Sequence, residues 1–587
     1  MTTPLAANQP PTDAKGAWAW ASWRGVLLFS FGIALLRAAY LLFLSPYELV
    51  ADEAHYWDWS RRPALSYYSK GPGVAWLIGA STGFLGTSEA AVRLPAVICG
   101  LLAMLAAARL GAASGQPGIR PAIPPPDERV AFFAAAAMCC VPAYHAVAML
   151  MTIDGPYIAC WILSAWAAMA LFRSWAHGGN VLAPCAALGL ALGVGFLFKF
   201  TILLLLPGLV IFWLRHRRAM PLHPRLAGAL MLALAVFACC MAPVIIWNVR
   251  HDWPTLAHLL GHLGVAGGDV APRIGAGKPW SWKPEWTIEF LAGQIGLIGP
   301  ALLLIAAALA HALRSRREGG PPSTGHGLSS PAIDSFLFWC AAPVLLFYFA
   351  LTWFTDVEGN WPIAGYTTLL VLAARRAPSE LTRYRAMVHA WLSETLRPRP
   401  RRGLLRRKPE TTFQIAWHWS IGYGAVAAFG MLILPWLAGL PLVGKLVPMQ
   451  RLTGQRAAAA SVHRAVSDVM TRTQDPSISG NEPLYVASSY GRAGLLAFYL
   501  PGHPPVCSAA SLMGGRRSSY DFFEDTDLRR AELRGRVAAL IGAPRARWER
   551  VLGSLDVFAD DPELELLVVR WPGLAAQAAS DGEAPAP

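Results

Sequence analysis

Asp52 and Glu53 stand side by side in the segment Asp52-Glu53-Ala54-His55-Tyr56-Trp57-Asp58-Trp59, just beyond an apolar run from Gly25 to Leu44. Adjacent carboxylates repel and need a reason to be there. At the end of a stretch apolar enough for a bilayer they mark a membrane surface, where charge is costly and usually functional. A carboxylate held among interface-seeking aromatics suits proton abstraction from a substrate presented at the lipid surface. Cations recur beside later apolar runs: Lys70 in Tyr67-Tyr68-Ser69-Lys70-Gly71-Pro72, Arg93 in Val92-Arg93-Leu94-Pro95, Lys199 in Phe198-Lys199-Phe200-Thr201, and Arg250 with His251 and Asp252 after Trp247-Asn248-Val249. Asp154 opens another run, and Asp356, Glu358 and Asn360 precede Trp361-Pro362. Moving a sugar from a lipid phosphate to a hydroxyl needs a base for the hydroxyl proton and cations for the departing phosphate. On this reading Asp52 is the base, and Lys70, Arg93, Lys199 and Arg250 hold phosphate. Each cation also has a plainer reading, a long side chain snorkelling to the interface. For Asp154 the plainer reading is a helix cap.

These residues need a membrane scaffold. Of the 587 residues 55% are hydrophobic and only 15% charged, and the mean hydropathy is +0.39. That composition predicts a mainly α polytopic membrane protein. Apolar windows fall near 25–45, 89–111, 130–150, 154–173, 182–198, 200–214, 226–247, 286–313, 333–353, 360–374 and 417–440, which predicts about eleven spans of roughly 20 residues each. A short Gly-rich stretch at 73–86 reads as interfacial or re-entrant. Lys and Arg outnumber Asp and Glu by 50 to 36, but the excess sits in short loops, the pattern of membrane orientation and not of nucleic-acid binding. One set of alternate loops is rich (Arg120, Arg129, Arg173, Arg215, Arg217, Arg218, Arg225, Arg314, Arg316, Arg317, then 375–408); the other is poorer (Arg61, Arg62, Lys70, Arg250, Arg273, Lys278, Lys283). The rich set is predicted cytoplasmic, which turns Asp52 and Glu53 outward and leaves the polar C-terminal part outside. The basic stretch 397–408 reads equally as an orientation signal or a lipid-headgroup patch.

Residues 1–450 are thus expected to form the multi-span domain. Residues 451–570 carry apolar runs of strand type, Pro483–Ala487, Leu495–Leu500, Val537–Ile541 and Leu564–Val569, separated by helix-like polar stretches. They are expected to form a small α/β domain outside the cytoplasm. Residues 571–587, rich in Ala, Pro and Gly, are expected to be disordered. Eight of the nine cysteines lie in apolar segments and no metal-type spacing occurs.

Taken in order, these motifs resemble the family 39 glycosyltransferases of the GT-C fold, which include protein O-mannosyltransferases and the transferases that modify lipid A and its core. The resemblance rests on Asp52-Glu53-Ala54-His55-Tyr56-Trp57, Tyr67-Tyr68-Ser69-Lys70-Gly71-Pro72, Val92-Arg93-Leu94-Pro95, Thr152-Ile153-Asp154-Gly155-Pro156, Phe198-Lys199-Phe200-Thr201, Trp247-Asn248, His251-Asp252-Trp253, Gly293-Gln294, Asn360-Trp361-Pro362 and Arg516-Arg517-Ser518-Ser519-Tyr520-Asp521-Phe522. It implies an inverting transfer of a hexose or pentose from a polyprenyl-phosphate carrier, with Asp52 as catalytic base, Glu53 beside it, and Lys70, Arg93, Asp154, Lys199, Arg250 and His251 around the donor. The implied acceptor is lipid A, a core sugar, another glycolipid or a protein, at the outer face of a bacterial inner membrane. No nucleotide cofactor is expected, since no Gly-rich phosphate loop is present; a divalent metal is left open. One departure is Gly71, where many members have a first proline, and it predicts a looser loop at Lys70. The rival from another class is a transporter or lipid flippase. The acidic-aromatic first outer loop, the polar outer domain and the lack of an internal repeat favour the enzyme.

Overall fold

The computed structural model describes residues 20–115, 127–262, 282–317, 328–384, 410–437, 449–472 and 482–574. The basic stretch 397–408, Arg120, Arg273, Lys278 and residues 575–587 of the expected tail lie outside the described residues. The chain opens with α1 (Trp23–Phe43), α2 (Ala51–Ser60), α3 (Gly73–Leu85), α4 (Glu89–Ser114), α5 (Glu128–Met138), α6 (Pro142–Val147), α7 (Asp154–Ala176), α8 (Leu182–Phe196), α9 (Leu205–His216) and α10 (Leu226–Arg250). A short helix Pro254–His262 and the helices Pro284–Ile298, Ala301–Arg317, Ser330–Leu351, Ile363–Ala374 and Glu410–Leu437 follow. Their starts obey local rules. Ser22, Ser88 and Ser329 cap α1, α4 and Ser330–Leu351 by accepting N–H bonds. α7 is buried on nearly every side, whereas α1 and α10 leave large apolar side chains outward, as a lipid-facing helix should.

Among the described residues seven helices are long and apolar enough to cross a membrane, or eight if the bent pair Pro284–Ile298 and Ala301–Ser315 counts as one. Two of the eleven expected windows hold short helices, Leu182–Phe196 and Ile363–Ala374, and a third short apolar helix, Gly73–Leu85, lies outside the windows. Two windows read as continuous are broken. The window 130–150 divides at Cys139–Val141, because Pro142 starts α6 and holds Val141 extended at φ −111° and ψ 116°. The window 286–313 turns through 94° at Gly299, whose φ of +63° only glycine adopts easily.

The C-terminal part is a five-stranded sheet in the order β2-β1-β3-β5-β4. β1 (Leu484–Ala487) lies parallel to β2 (Val506–Ser508) and β3 (Val537–Ile541), while β5 (Leu566–Arg570) runs antiparallel to β3 and to β4 (Asp556–Asp561). The run Leu495–Leu500, expected as a strand, is instead the end of helix Tyr490–Tyr499, capped by Ser489. Short, fully buried apolar runs carry no period that tells strand from helix. This helix lies on α2. A Cβ at Gly494 would sit 2.7 Å from His55 N, and one at Gly491 2.9 Å from Ala51 Cβ, so glycine lets the two backbones touch. Tyr499 Oη accepts from Leu49 N at 2.7 Å and donates to Glu89 at 3.2 Å. The sheet domain is thereby fixed over the end of the bundle that carries α2.

Candidate active site

α2 separates the two acids that are neighbours in sequence. Adjacent helical residues point about 100° apart, so one faces outward and the other the bundle. Glu53 is fully buried. Its Oε1 accepts from Arg93 Nε at 2.9 Å and from Met151 N at 2.9 Å; its Oε2 accepts from Arg93 Nη2 at 2.6 Å and from Val50 N at 3.1 Å. Arg93 also donates to Tyr47 O at 2.8 Å and Glu48 O at 2.7 Å. This pair stitches α2, α4 and the segment before α7 together. The expectation of two acids acting side by side is revised: Glu53 is fully buried with both oxygens taken up by Arg93, Met151 N and Val50 N, and Arg93, itself buried, turns its guanidinium to Glu53, Tyr47 and Glu48.

Asp52 is exposed, yet protein surrounds it. Loss of solvent pushes its carboxyl above the usual carboxylate range; Lys70 and Arg516 pull it down, while Asp154 and Glu53 add to the rise. Lys70, Arg516 and Asp154 are near enough for their charges to act on it, and Lys199 reaches this group through Asp154. Asp154 opens α7 and is buried, where the helix N-terminus favours its charge. Its Oδ1 accepts from Lys199 Nζ at 2.9 Å and its Oδ2 from Asn360 Nδ2 at 2.8 Å. The Asn360 loop is held by Gln294, which donates to Gly359 O at 2.8 Å. Lys199 Nζ also lies 5.3 Å over the Tyr157 ring.

The loop at Lys70 is tight, contrary to the expectation from Gly71. A Cβ at Gly71 would lie 2.3 Å from Leu197 O, and one at Gly73 2.7 Å from the Phe198 ring. Gly73 N donates to Leu197 O at 3.1 Å. Glycine here permits close approach, and the contact carries Lys70 to the segment that bears Lys199. Burial, then the neighbouring Lys199 charge, brings the Lys70 ammonium down to about 8, opposed by Asp154 and Asp52.

The sheet domain completes the enclosure. The Tyr490 ring lies 4.9 Å from His55, on α2 one turn beyond Asp52, and the Arg516 guanidinium lies 5.1 Å over Tyr490. Burial, with Arg516 and Arg62 nearby, holds His55 neutral by lowering it to about 3. Arg516 stands in one of the motifs named from the sequence, but nothing local in the chain ties it to residues as distant as Asp52. Arg250 and His251 stand apart from Asp52. They line a cleft of 760 Å³ with Arg62, Tyr68, Trp76 and Phe522; Arg250 is exposed, and the His251 ring stacks on Trp247 at 4.3 Å. Among the described residues no group of three or more His, Cys, Asp and Glu gathers as metal ligands would.

Residues 69–247 match the family described as dolichyl-phosphate-mannose-protein mannosyltransferase. Lipid A galacturonosyltransferase RgtD of Rhizobium johnstonii is 26% identical over 60% of this chain, which spans 65% of that relative's length. In the solved structures, ArnT from Cupriavidus metallidurans in the apo state superposes with a TM-score of 0.56 at 17% identity, over 95% of this chain and 99% of that one. The same protein bound to undecaprenyl phosphate gives 0.53 at 16% identity, over 94% and 99%. The resemblance read from the sequence is thereby supported, and the chain has the GT-C fold: a multi-pass helical membrane protein carrying a small sheet domain.

Proposed function

We propose that this protein is a membrane glycosyltransferase that moves a sugar from a polyprenyl-phosphate carrier to a hydroxyl of an envelope glycolipid, with inversion, at the periplasmic face of a bacterial inner membrane. The observation that carries the reading is an accessible carboxylate, Asp52, enclosed with Lys70 and with the Lys199–Asp154 pair at the outer end of the bundle. Asp52 takes the acceptor hydroxyl's proton as its oxygen attacks the anomeric carbon, on the face opposite the phosphate. Its raised carboxyl is a better base than an ordinary one. Lys70 faces the phosphate, whose charge grows as the sugar leaves. Lys199 and Asn360 fix Asp154, whose remaining lone pairs serve as hydrogen-bond acceptors for a sugar hydroxyl. Glu53 and Arg93 position α2 and touch no substrate. Arg250 and His251 belong to the neighbouring cleft, which suits a bulky amphipathic acceptor. The lipid A acceptor of RgtD favours a glycolipid over a protein hydroxyl.

The test is a deletion strain complemented with wild type, Asp52→Asn or Glu53→Gln, with mass spectrometry of envelope lipids and glycoproteins. Wild type restores a sugar that the deletion lacks. Asp52→Asn leaves the protein abundant and cuts transfer at least ~10²-fold, the usual worth of a general base. Glu53→Gln leaves Arg93 buried without its counter-charge, costs about 3–5 kcal/mol and lowers folded yield. A fully active Asp52→Asn removes Asp52 from the mechanism. A deletion strain with unchanged lipids and glycoproteins ends the transferase reading.

A further inference from the structure

We propose that Arg516, brought to the site by the sheet domain, is the second cation that holds the carrier phosphate as it gains its second negative charge; the inference rests on the transferase reading above. The loop that presents Arg516 is built and not loose. Gly514 adopts a φ of +73°, and Gly515 N donates to Ala510 O at 2.8 Å. A Cβ at Gly515 would lie 2.8 Å from Ala510 O. Asp521 closes the far side, accepting from Ser518 N at 2.7 Å and from the Ser511 hydroxyl. The guanidinium is laid over Tyr490 at 5.1 Å, which abuts α2 at His55. From there its charge acts on Asp52, Lys70 and Tyr56 together.

The charges decide what such a cation is for. Lys199 is committed to Asp154, whereas neither Lys70 nor Arg516 has an ion pair among the described residues. The donor is a phosphodiester with one negative charge. In transfer, the bond from the anomeric carbon to the phosphate oxygen breaks and its electron pair stays on that oxygen. The acceptor oxygen bonds the anomeric carbon, and its proton goes to Asp52. The phosphate is now a monoester, with a second pKa of about 6, and is a dianion at neutral pH. Before transfer, Lys70 and Arg516 balance Asp52 and the diester. After it, they balance the dianion alone, with Asp52 neutral. With Lys70 by itself the enclosure would carry a net negative charge at both ends of the reaction, a poor place to leave a dianion. Arg516 also has the forked geometry that matches two phosphate oxygens.

The experiment measures binding of undecaprenyl phosphate and of its methyl diester to the full-length protein in nanodiscs at neutral pH. Wild type, Arg516→Gln and Arg516→Lys are compared, with thermal unfolding to confirm equal folding. Arg516→Gln is expected to weaken the monoester about ten- to a hundredfold, the worth of a hydrogen-bonded charge contact, and the diester far less. Arg516→Lys keeps most of the monoester preference. If wild type binds the monoester and Arg516→Gln binds both lipids as wild type does, the inference falls and the transferase reading stands. If wild type binds neither lipid, the carrier reading itself falls, and this inference with it.

Discussion

Lys70 is a site residue whose charge changes close to neutrality. Its ammonium is brought down to about 8 by burial and by Lys199, so in the folded protein it sheds its proton well below the ordinary lysine value of about 10.4. The cation is the form that can hold phosphate. Transfer is therefore present below pH 8 or so and lost as pH rises through that value. On the acid side Asp52 must be ionised, and because its carboxyl is raised, activity fades at a pH above the ordinary aspartate value of about 3.9. A pH profile of kcat/KM in proteoliposomes should be a bell, and Lys70→Arg should move only its alkaline limb upward, since guanidinium stays charged. An alkaline limb unmoved by Lys70→Arg would assign that limb to another group. At this scale the sequence was informative about Asp52, Lys70, Asp154 and Lys199, which sit at apolar-run ends and meet in space. It was silent on how Asp52 and Glu53 differ. That difference is made by Arg93 and by Met151 N, both far along the chain.

Helix Tyr490–Tyr499 against α2 is the contact through which the sheet domain acts on the site. Gly494 sits where a Cβ would meet His55 N at 2.7 Å and His55 Cα at 2.9 Å, and backbone cannot yield as a side chain can. Gly494→Ala should thus lift the helix from α2, at a cost of about 1–3 kcal/mol typical of overpacking, and displace Tyr490 from over His55. Thermal unfolding in detergent and transfer assays check it: a lower melting temperature with reduced turnover is expected, and wild-type values in both would show that α2 and this helix are not rigidly seated. Elements were legible where the pattern was long. α1, α4, α7 and α10 match their windows closely. They were illegible where a single residue overrides a run, as Pro142 does within 130–150 and Gly299 within 286–313. Leu495–Leu500 failed for a different reason: buried between the sheet and α2, it has no polar face to show a period.

For the whole molecule, the two faces of the bundle are set by contacts as well as by loop charge. On one face Arg375 Nε donates to Ser114 O at 2.7 Å and its guanidinium pairs with Asp334, while Trp175 Nε1 donates to Pro221 O at 2.7 Å. These contacts tie together the loops rich in Arg. On the other face Arg62 bridges Asp58 at 2.8 Å and Asp525 at 2.6 Å, locking the end of α2 to the sheet domain. Asp52 and the sheet domain are hence on one side, and the positive-inside rule predicts that side to be the periplasm. Arg217 and Arg545 are exposed on opposite faces, so a single cysteine at each reports the orientation. In a variant whose nine native cysteines are replaced by alanine, an impermeant maleimide should label Arg545→Cys in spheroplasts at once and Arg217→Cys only after the membrane is opened. The reverse pattern would put Asp52 in the cytosol, where the acceptor would have to be met before export, and the periplasmic transfer proposed above would fail. Equal labelling of both before opening would mean leaky spheroplasts, which an unmodified cytosolic marker protein detects, so the assay separates a wrong orientation from a broken membrane.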